Sequence, residues 1–174
     1  MRNLRQSIIA IVFGAMILAA QALAQPQDVD GWQQAKWGMT KEEILKAFEG
    51  KAKVMNKAST DPKNNLYCDI GIDNMNIAGK TCKVEFCMNN DTNRLTRIYI
   101  TVIDEDENTF KEFEMRLTNK YGSPAHKETT KNSLGAILDW TWFFPSTTIH
   151  LYDLHILEPA VSLSYIQNVG YDKF

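Results

Sequence analysis

Two stretches decide how the chain is read: Leu66-Tyr67-Cys68-Asp69-Ile70-Gly71-Ile72, and shortly after it Cys82-Lys83-Val84-Glu85-Phe86-Cys87. Side chains along an extended strand alternate between its two faces. Leu66, Cys68, Ile70 and Ile72 thus share one side, and Cys82, Val84 and Phe86 share another, with Lys83, Glu85 and Cys87 opposite them. The pattern predicts an antiparallel hairpin with one apolar and one polar face. A turn centred on residues 73–77 sets Cys68 opposite Cys82, both pointing inward. The expected disulfide is therefore Cys68–Cys82, with a one-residue bulge bringing in Cys87 instead. The chain has three cysteines, so one is left over. Their spacing contains no C-x-x-C pair, which removes zinc and thioredoxin chemistry.

Working outward, strands are expected at about 66–72, 79–88 and 94–103, punctuated by Gly79 and Asn89-Asn90-Asp91-Thr92-Asn93. Residues 51–65, rich in lysine and asparagine, read as a connector. Before them, Thr40 and Glu43 form a capping box, and Met39 and Ile44 a hydrophobic staple. Ile44, Leu45 and Phe48 then make one apolar stripe that Gly50 ends. Farther on, Asp104-Glu105-Asp106-Glu107 leads a second helix, favoured there by the helix dipole. Phe110, Phe113, Leu117 and Tyr121 recur at helical spacing until Gly122 and Pro124. Strands return at about 125–130, 136–144, 147–154 and 160–167. The order predicts an α+β fold: a mainly antiparallel sheet, two helices on one face, and a helix-plus-meander unit repeated twice.

Residues 1–24 read as a secretory signal peptide. Arg2 and Arg5 precede an apolar run from Ile8 to Ala20, and Ala22-Leu23-Ala24 supplies the small-x-small cleavage pattern. The run is short for a membrane span. Cleavage before Gln25 leaves residues 25–174 as a single α+β domain with 17 basic residues against 21 acidic ones. That balance lacks the basic excess of a nucleic-acid binder. No second long apolar segment follows, so no membrane span is expected after cleavage, and the address is periplasmic or secreted. An exported chain is also one in which a disulfide persists.

Trp37-Gly38-Met39-Thr40-Lys41-Glu42-Glu43-Ile44 resembles the W-G-M-T-x-x-E-V opening of small exported bacterial proteins. Its Gly38-Met39-Thr40…Ile44 core is similar to the opening of outer-membrane assembly lipoproteins of the SmpA/OmlA type. Their fold is related to beta-lactamase inhibitor protein, built from tandem helix-plus-sheet repeats. Tyr121-Gly122-Ser123-Pro124 looks like the G-x-P that ends a helix in such units. The chain departs from the lipoproteins in having no cysteine at the cleavage point. The resemblance implies a bacterial envelope address and a sheet able to bind another protein.

The motifs of catalysis are missing. Ser146, Ser162 and Ser164 have no G-x-S-x-G context, and there is no phosphate loop or dinucleotide fingerprint. His126, His150 and His155 do not form a common metal face, and no cofactor or metal is expected. The strand Leu138-Asp139-Trp140-Thr141-Trp142-Phe143-Phe144 is the most suggestive feature. Its tryptophans are expected beneath the helices, since aromatic rings dominate cores. The reverse face then carries Tyr99, Phe143, His150 and Tyr152 among polar groups, a mixture typical of protein interfaces. The expectation is an exported, non-catalytic protein that binds a protein partner in the cell envelope through this face. The alternatives are a small-ligand binder with a pocket between the helices and the aromatic strand, or a hydrolase using Cys87 or a serine beside a histidine.

Overall fold

The computed structural model describes residues 27–132, 135–155 and 160–168, so residues 1–24, read above as a signal peptide, lie outside the described residues. A two-stranded ribbon, β1 (Gly31–Trp32) and β2 (Ala35–Lys36), precedes helix α1 (Lys41–Ala47). Then come β3 (Lys53–Asp61), a 3-10 turn (Pro62–Asn64), β4 (Leu66–Ile77), β5 (Lys80–Asn89) and β6 (Leu95–Val102). After helix α2 (Thr109–Tyr121) follow β7 (His126–Asn132), β8 (Gly135–Phe143), β9 (Thr147–His155) and β10 (Val161–Gln167). β3 to β10 form one antiparallel sheet in the order β3-β4-β5-β6-β10-β9-β8-β7.

The expected α+β duplication gives way to a mostly β architecture, with more than half of the described residues in strands. There are three reasons. Residues 53–61, read as a connector, pair with β4 and add an edge strand. β6 pairs directly with β10, Thr101 opposite Ser162, so the sheet is continuous where the sequence suggested two repeated units. The helices are short, 7 and 13 residues, and cover separate places instead of forming one helical layer. α1 rests on the ribbon and β5, where Phe48 stacks on Trp32 at 6.2 Å and meets Phe86 at 5.1 Å. α2 packs chiefly against β9.

Local chemistry explains each helix. Seven residues form a marginal helix in water, so α1 depends on its ends and its buried side. Thr40 Oγ1 accepts from Glu43 N at 3.3 Å, and Glu43 Oε2 accepts from Thr40 N at 2.8 Å, closing the capping box. Ile44 is buried beneath it. α2 turns Phe110, Phe113 and Leu117 inward and stops at Gly122, whose φ of 83° is unfavourable for other residues. Trp142 Nε1 donates to the Gly122 carbonyl at 2.8 Å, so the aromatic strand ties off the helix end. The acidic run precedes α2, and its carboxylates latch neighbouring segments. Asp104 accepts from Thr81 N at 2.6 Å, and Asp106 accepts from Lys80 Nζ at 2.6 Å. Burying the apolar face of the sheet is the main stabilising term. That core gathers Ile70, Val84, Phe86, Ile98, Ile100, Trp142, Ile149, Leu151 and Leu163 with both helices.

The cysteine pairing also differs from expectation. Cys68 is bonded to Cys87, and Cys82 is a free, buried thiol. The hairpin turns at Ala78-Gly79, between the paired residues Ile77 and Lys80, not around 73–77. More decisively, a bulge lies between the pairs Cys68↔Cys87 and Ile70↔Phe86. The extra residue, Asp69, reverses the alternation, so Leu66 and Cys68 face one way while Ile70 and Ile72 face the other. Leu66, Cys68 and Cys87 form a small second core on the reverse face, covered by Met55 and Tyr99. Met55 belongs to β3, whose own register breaks between Val54 and Ser59. The opposite edge, β7, carries Lys127, Glu128 and Lys131.

Closing a loop between residues 19 apart constrains the unfolded chain by about 3 kcal/mol on the chain-entropy account. The double variant Cys68→Ser/Cys87→Ser should lose about that much in urea unfolding. Peptide mapping of unreduced protein should recover a 68–87 crosslink with Cys82 alkylated only after unfolding. A 68–82 crosslink would contradict the register described above.

Candidate functional site

On the reverse face, the pairing of β6, β10, β9, β8 and β7 lines side chains up in rows. One row runs Tyr99, Ser164, His150, Thr141, His126. The next runs Thr101, Ser162, Tyr152, Asp139, Glu128. On the other side lie Arg97, Ile166, Thr148 and Phe143. All four residues singled out in the sequence, Tyr99, Phe143, His150 and Tyr152, therefore fall within three adjacent rows. Aromatic side chains stand around a floor of small hydroxyl residues: Ser164 is 3% exposed and Thr141 2%, whereas Phe143 is 61% exposed.

His150 is fixed from two sides. Its Nδ1 lies 3.0 and 3.3 Å from the Asp139 carboxylate oxygens and 3.2 Å from Thr141 Oγ1. Its ring lies parallel to that of Tyr152, with centroids 5.2 Å apart. Thr141 Oγ1 also donates to Asp139 at 3.3 Å. A second group stands at the β6 side. Arg97 Nη1 donates to Tyr99 Oη at 2.7 Å, and that phenol reaches Asp61 at 3.4 Å. Asp61 also pairs with Arg97 at 3.5 Å. Asp61 sits at the end of β3, three strands away from β6 in the sheet order, so its reach to Tyr99 shows β3 folding over this face. The hydrogen bonds from Asn64, with Arg97 and Tyr99 beside it, hold the Asp61 carboxyl below the usual range against the opposing effect of burial. Burial pushes the Tyr152 phenol up to about 12, helped by the Asp139 carboxylate and opposed by Arg97.

Asp139, Thr141, Arg97, Asp61 and Ser164 were missed as site residues. Alternation along β8 already placed Asp139 and Thr141 beside Phe143, which was the available signal. Asp61 had no such signal, because its strand read as a connector.

Cys87, a nucleophile candidate of the hydrolase reading, is bonded to Cys68. His150 is engaged by an aspartate and a threonine. His126 is exposed beside Glu128, and the side chain of His155 lies outside the described residues. Among the described residues, no group of three or more His, Cys, Asp or Glu side chains is placed to hold a metal. No described helix is long and apolar enough to cross a membrane. Trp142 is buried and Trp140 meets Phe110 edge-on at 5.2 Å, so the aromatic strand packs under α2.

No protein-family profile matches the chain. No curated protein matches it either. Among solved structures, it is similar to a DUF4309 family protein, YjgB, from Bacillus subtilis subsp. subtilis str. 168. The identity is 12%, the TM-score 0.46, and the likeness covers 83% of this chain and 87% of that one. These comparisons give no support to a relation with SmpA/OmlA lipoproteins or beta-lactamase inhibitor protein.

The raised Tyr152 phenol makes stability depend on alkaline pH. The folded chain keeps this proton above pH 10, where an unfolded tyrosine loses it. The associated stability is therefore present below pH 10 and lost as pH rises toward about 12. Urea midpoints measured across this range should fall, and Tyr152→Phe should make the fall shallower. The slope that remains is shared by Tyr165 and Tyr67, both raised by burial, by Cys82, whose thiol burial lifts to about 11, and by Lys80, raised by its hydrogen bond to Asp106.

Proposed function

We propose that this protein is exported and non-catalytic, and that it holds another protein against the reverse face of its sheet at β6, β10, β9 and β8. The observation that carries the reading is the ordered patch around His150. A histidine fixed by Asp139 and Thr141 and stacked on Tyr152 stands one row from the exposed ring of Phe143. Rigid aromatic groups bordered by polar ones lose little conformational freedom on association, which suits them to carry binding energy. Asp139, Arg97 and Asp61 add charges that select orientation more than affinity. The apolar face cannot take this role, since its side chains are buried in the core. The leader at 1–24 and a disulfide within a small second core both suit an oxidising compartment.

Expressed from its full-length gene in a bacterium, the protein should fractionate with the periplasm and begin at Gln25. Photo-crosslinkers placed at Phe143 should capture one discrete partner. Truncating a central aromatic costs about 2 kcal/mol, so Tyr152→Ala should weaken that partner's binding roughly 30-fold. A control at Met115, exposed on α2, should leave affinity unchanged. Equal affinity for Phe143→Ala, Tyr152→Ala and wild type would remove this face from consideration.

A further inference from the structure

Two clefts meet at the edge of the sheet formed by β3 and β4. One, of about 500 Å³, is lined by Lys51, Lys53, Asp73, Asn74 and Asn76 among others. The other, of about 280 Å³, is bordered by Lys53, Lys57, Asp73 and Lys83. Lys53 and Asp73 are thus a shared wall. Two register breaks shape this corner. Asp73 and Asn74 of β4 stand against the single residue Lys83 of β5, because Ile72 pairs with Val84 and Met75 with Cys82. On β3, residues 55–58 stand against Asp69 alone, because Val54 pairs with Ile70 and Ser59 with Cys68. Bulges re-aim side chains, and here lysines of β3 and β5 converge on a carboxylate of β4.

Charge sets this corner apart from the rest of the chain. Acidic residues outnumber basic ones overall, 21 to 19. Among the described residues lining the two clefts, however, four are lysines and one is an aspartate. Lys53 Nζ lies 2.8 Å from Asp73 Oδ2. The hydrogen bond and charge of Lys53, with Lys83 beside it, hold the Asp73 carboxyl below the usual range. Lys83 leans on Glu85 at 3.1 Å, and Ser59 Oγ donates to the same carboxylate at 3.2 Å. Lys51 and Lys57 have no carboxylate of a described residue within ion-pair distance. Asn76 Oδ1 accepts from Gly79 N at 3.3 Å, so its amide hydrogens are the part left to donate.

We propose that this corner binds a ligand carrying two adjacent phosphate groups, one in each cleft, with Lys53 between them and Asp73 as the resident carboxylate that the ligand displaces. Lysine meets phosphate oxygens as a compact cationic donor. Each phosphate would find a lysine of its own: Lys51 with Asn74 and Asn76 in the larger cleft, Lys57 with Lys83 in the smaller. The nearest of these strands, β5, is three strands from His150 on β9, so the inference does not rest on the partner face.

Pyrophosphate titrated into the full chain, followed by amide NMR and calorimetry, tests it. The expected result is saturable shifts at residues 53–57, 73–76 and 83. Inorganic phosphate, filling one cleft, should bind roughly tenfold more weakly. Lys57→Gln removes one charge-assisted contact and should weaken pyrophosphate roughly tenfold as well. Asp73→Asn should tighten it, because Lys53 is released, and an aspartate with a merely structural role would not do so. Lys57 and Asp73 are exposed, and unshifted peaks along the β6–β10 seam report that each variant is folded. Phosphatidylcholine vesicles with and without phosphatidylglycerol separate the two sources of phosphate. Co-sedimentation with the anionic vesicles, reversed by pyrophosphate, assigns the phosphates to neighbouring lipid headgroups; its absence assigns them to a soluble ligand. Absence of saturable shifts, shifts spread equally over Lys111, Lys127 and Lys131, or affinity unchanged by both substitutions would overturn the proposal. Weaker binding to Asp73→Asn would overturn the displacement.

Discussion

Everything in this molecule depends on the pairing of β6 with β10. Thr101 meets Ser162, Ile100 meets Leu163 and Tyr99 meets Ser164 across this seam. The intervening chain, α2 with β7, β8 and β9, must be gathered before these contacts form, and loop closure of that kind is an entropic cost. The seam offsets it by burying Ile98, Ile100, Val161, Leu163 and Tyr165 at the centre of the core. On the reverse side the same pairings put Tyr99 in the row of His150. The core and the candidate interaction face are thus two consequences of one register. Slipping it by one residue would exchange the two faces.

Legibility in the sequence followed how local each determinant is. Thr40, Glu43 and Ile44 act within one helical turn, and the capping box was readable from spacing alone. The end of α2 at Tyr121-Gly122 was equally readable, because glycine there relieves a backbone constraint. The bulge at Asp69 was not. A bulge is set by what lies on the neighbouring strand, and alternation read along one strand carries no trace of it. That single residue moved Cys68 from the core to the reverse face, while the turn at Ala78-Gly79 and a second register shift between Ile72 and Met75 took it away from Cys82. β3 was hidden for a related reason. Its sequence is polar because it is an edge strand folded over the reverse face, so it lacks the apolar alternation of a half-buried strand.

The interaction face shows the same division. Tyr99, Phe143, His150 and Tyr152 could be placed on one side by parity, and the pairing brought them together. Their rigidity could not be read that way. It comes from Asp139 and Thr141 on the adjacent strand and, for Tyr99, from Arg97 and the distant Asp61. Composition names the rings that could touch a partner, whereas cross-strand neighbours determine which of them are held still. Ordering a side chain beforehand removes part of the entropic penalty of association, which is why the Asp139–His150–Tyr152 arrangement matters more than the mere exposure of Phe143.

The two outermost strands have a further consequence. The outermost strands of an open sheet present backbone groups that are templates for fibre growth unless they are blunted. β7 meets this hazard with Lys127, Glu128 and Lys131, charges that resist stacking of a second copy. β3 meets it with a broken register and with Lys53 and Lys57. Both margins are therefore poor seeds for edge-on polymerisation.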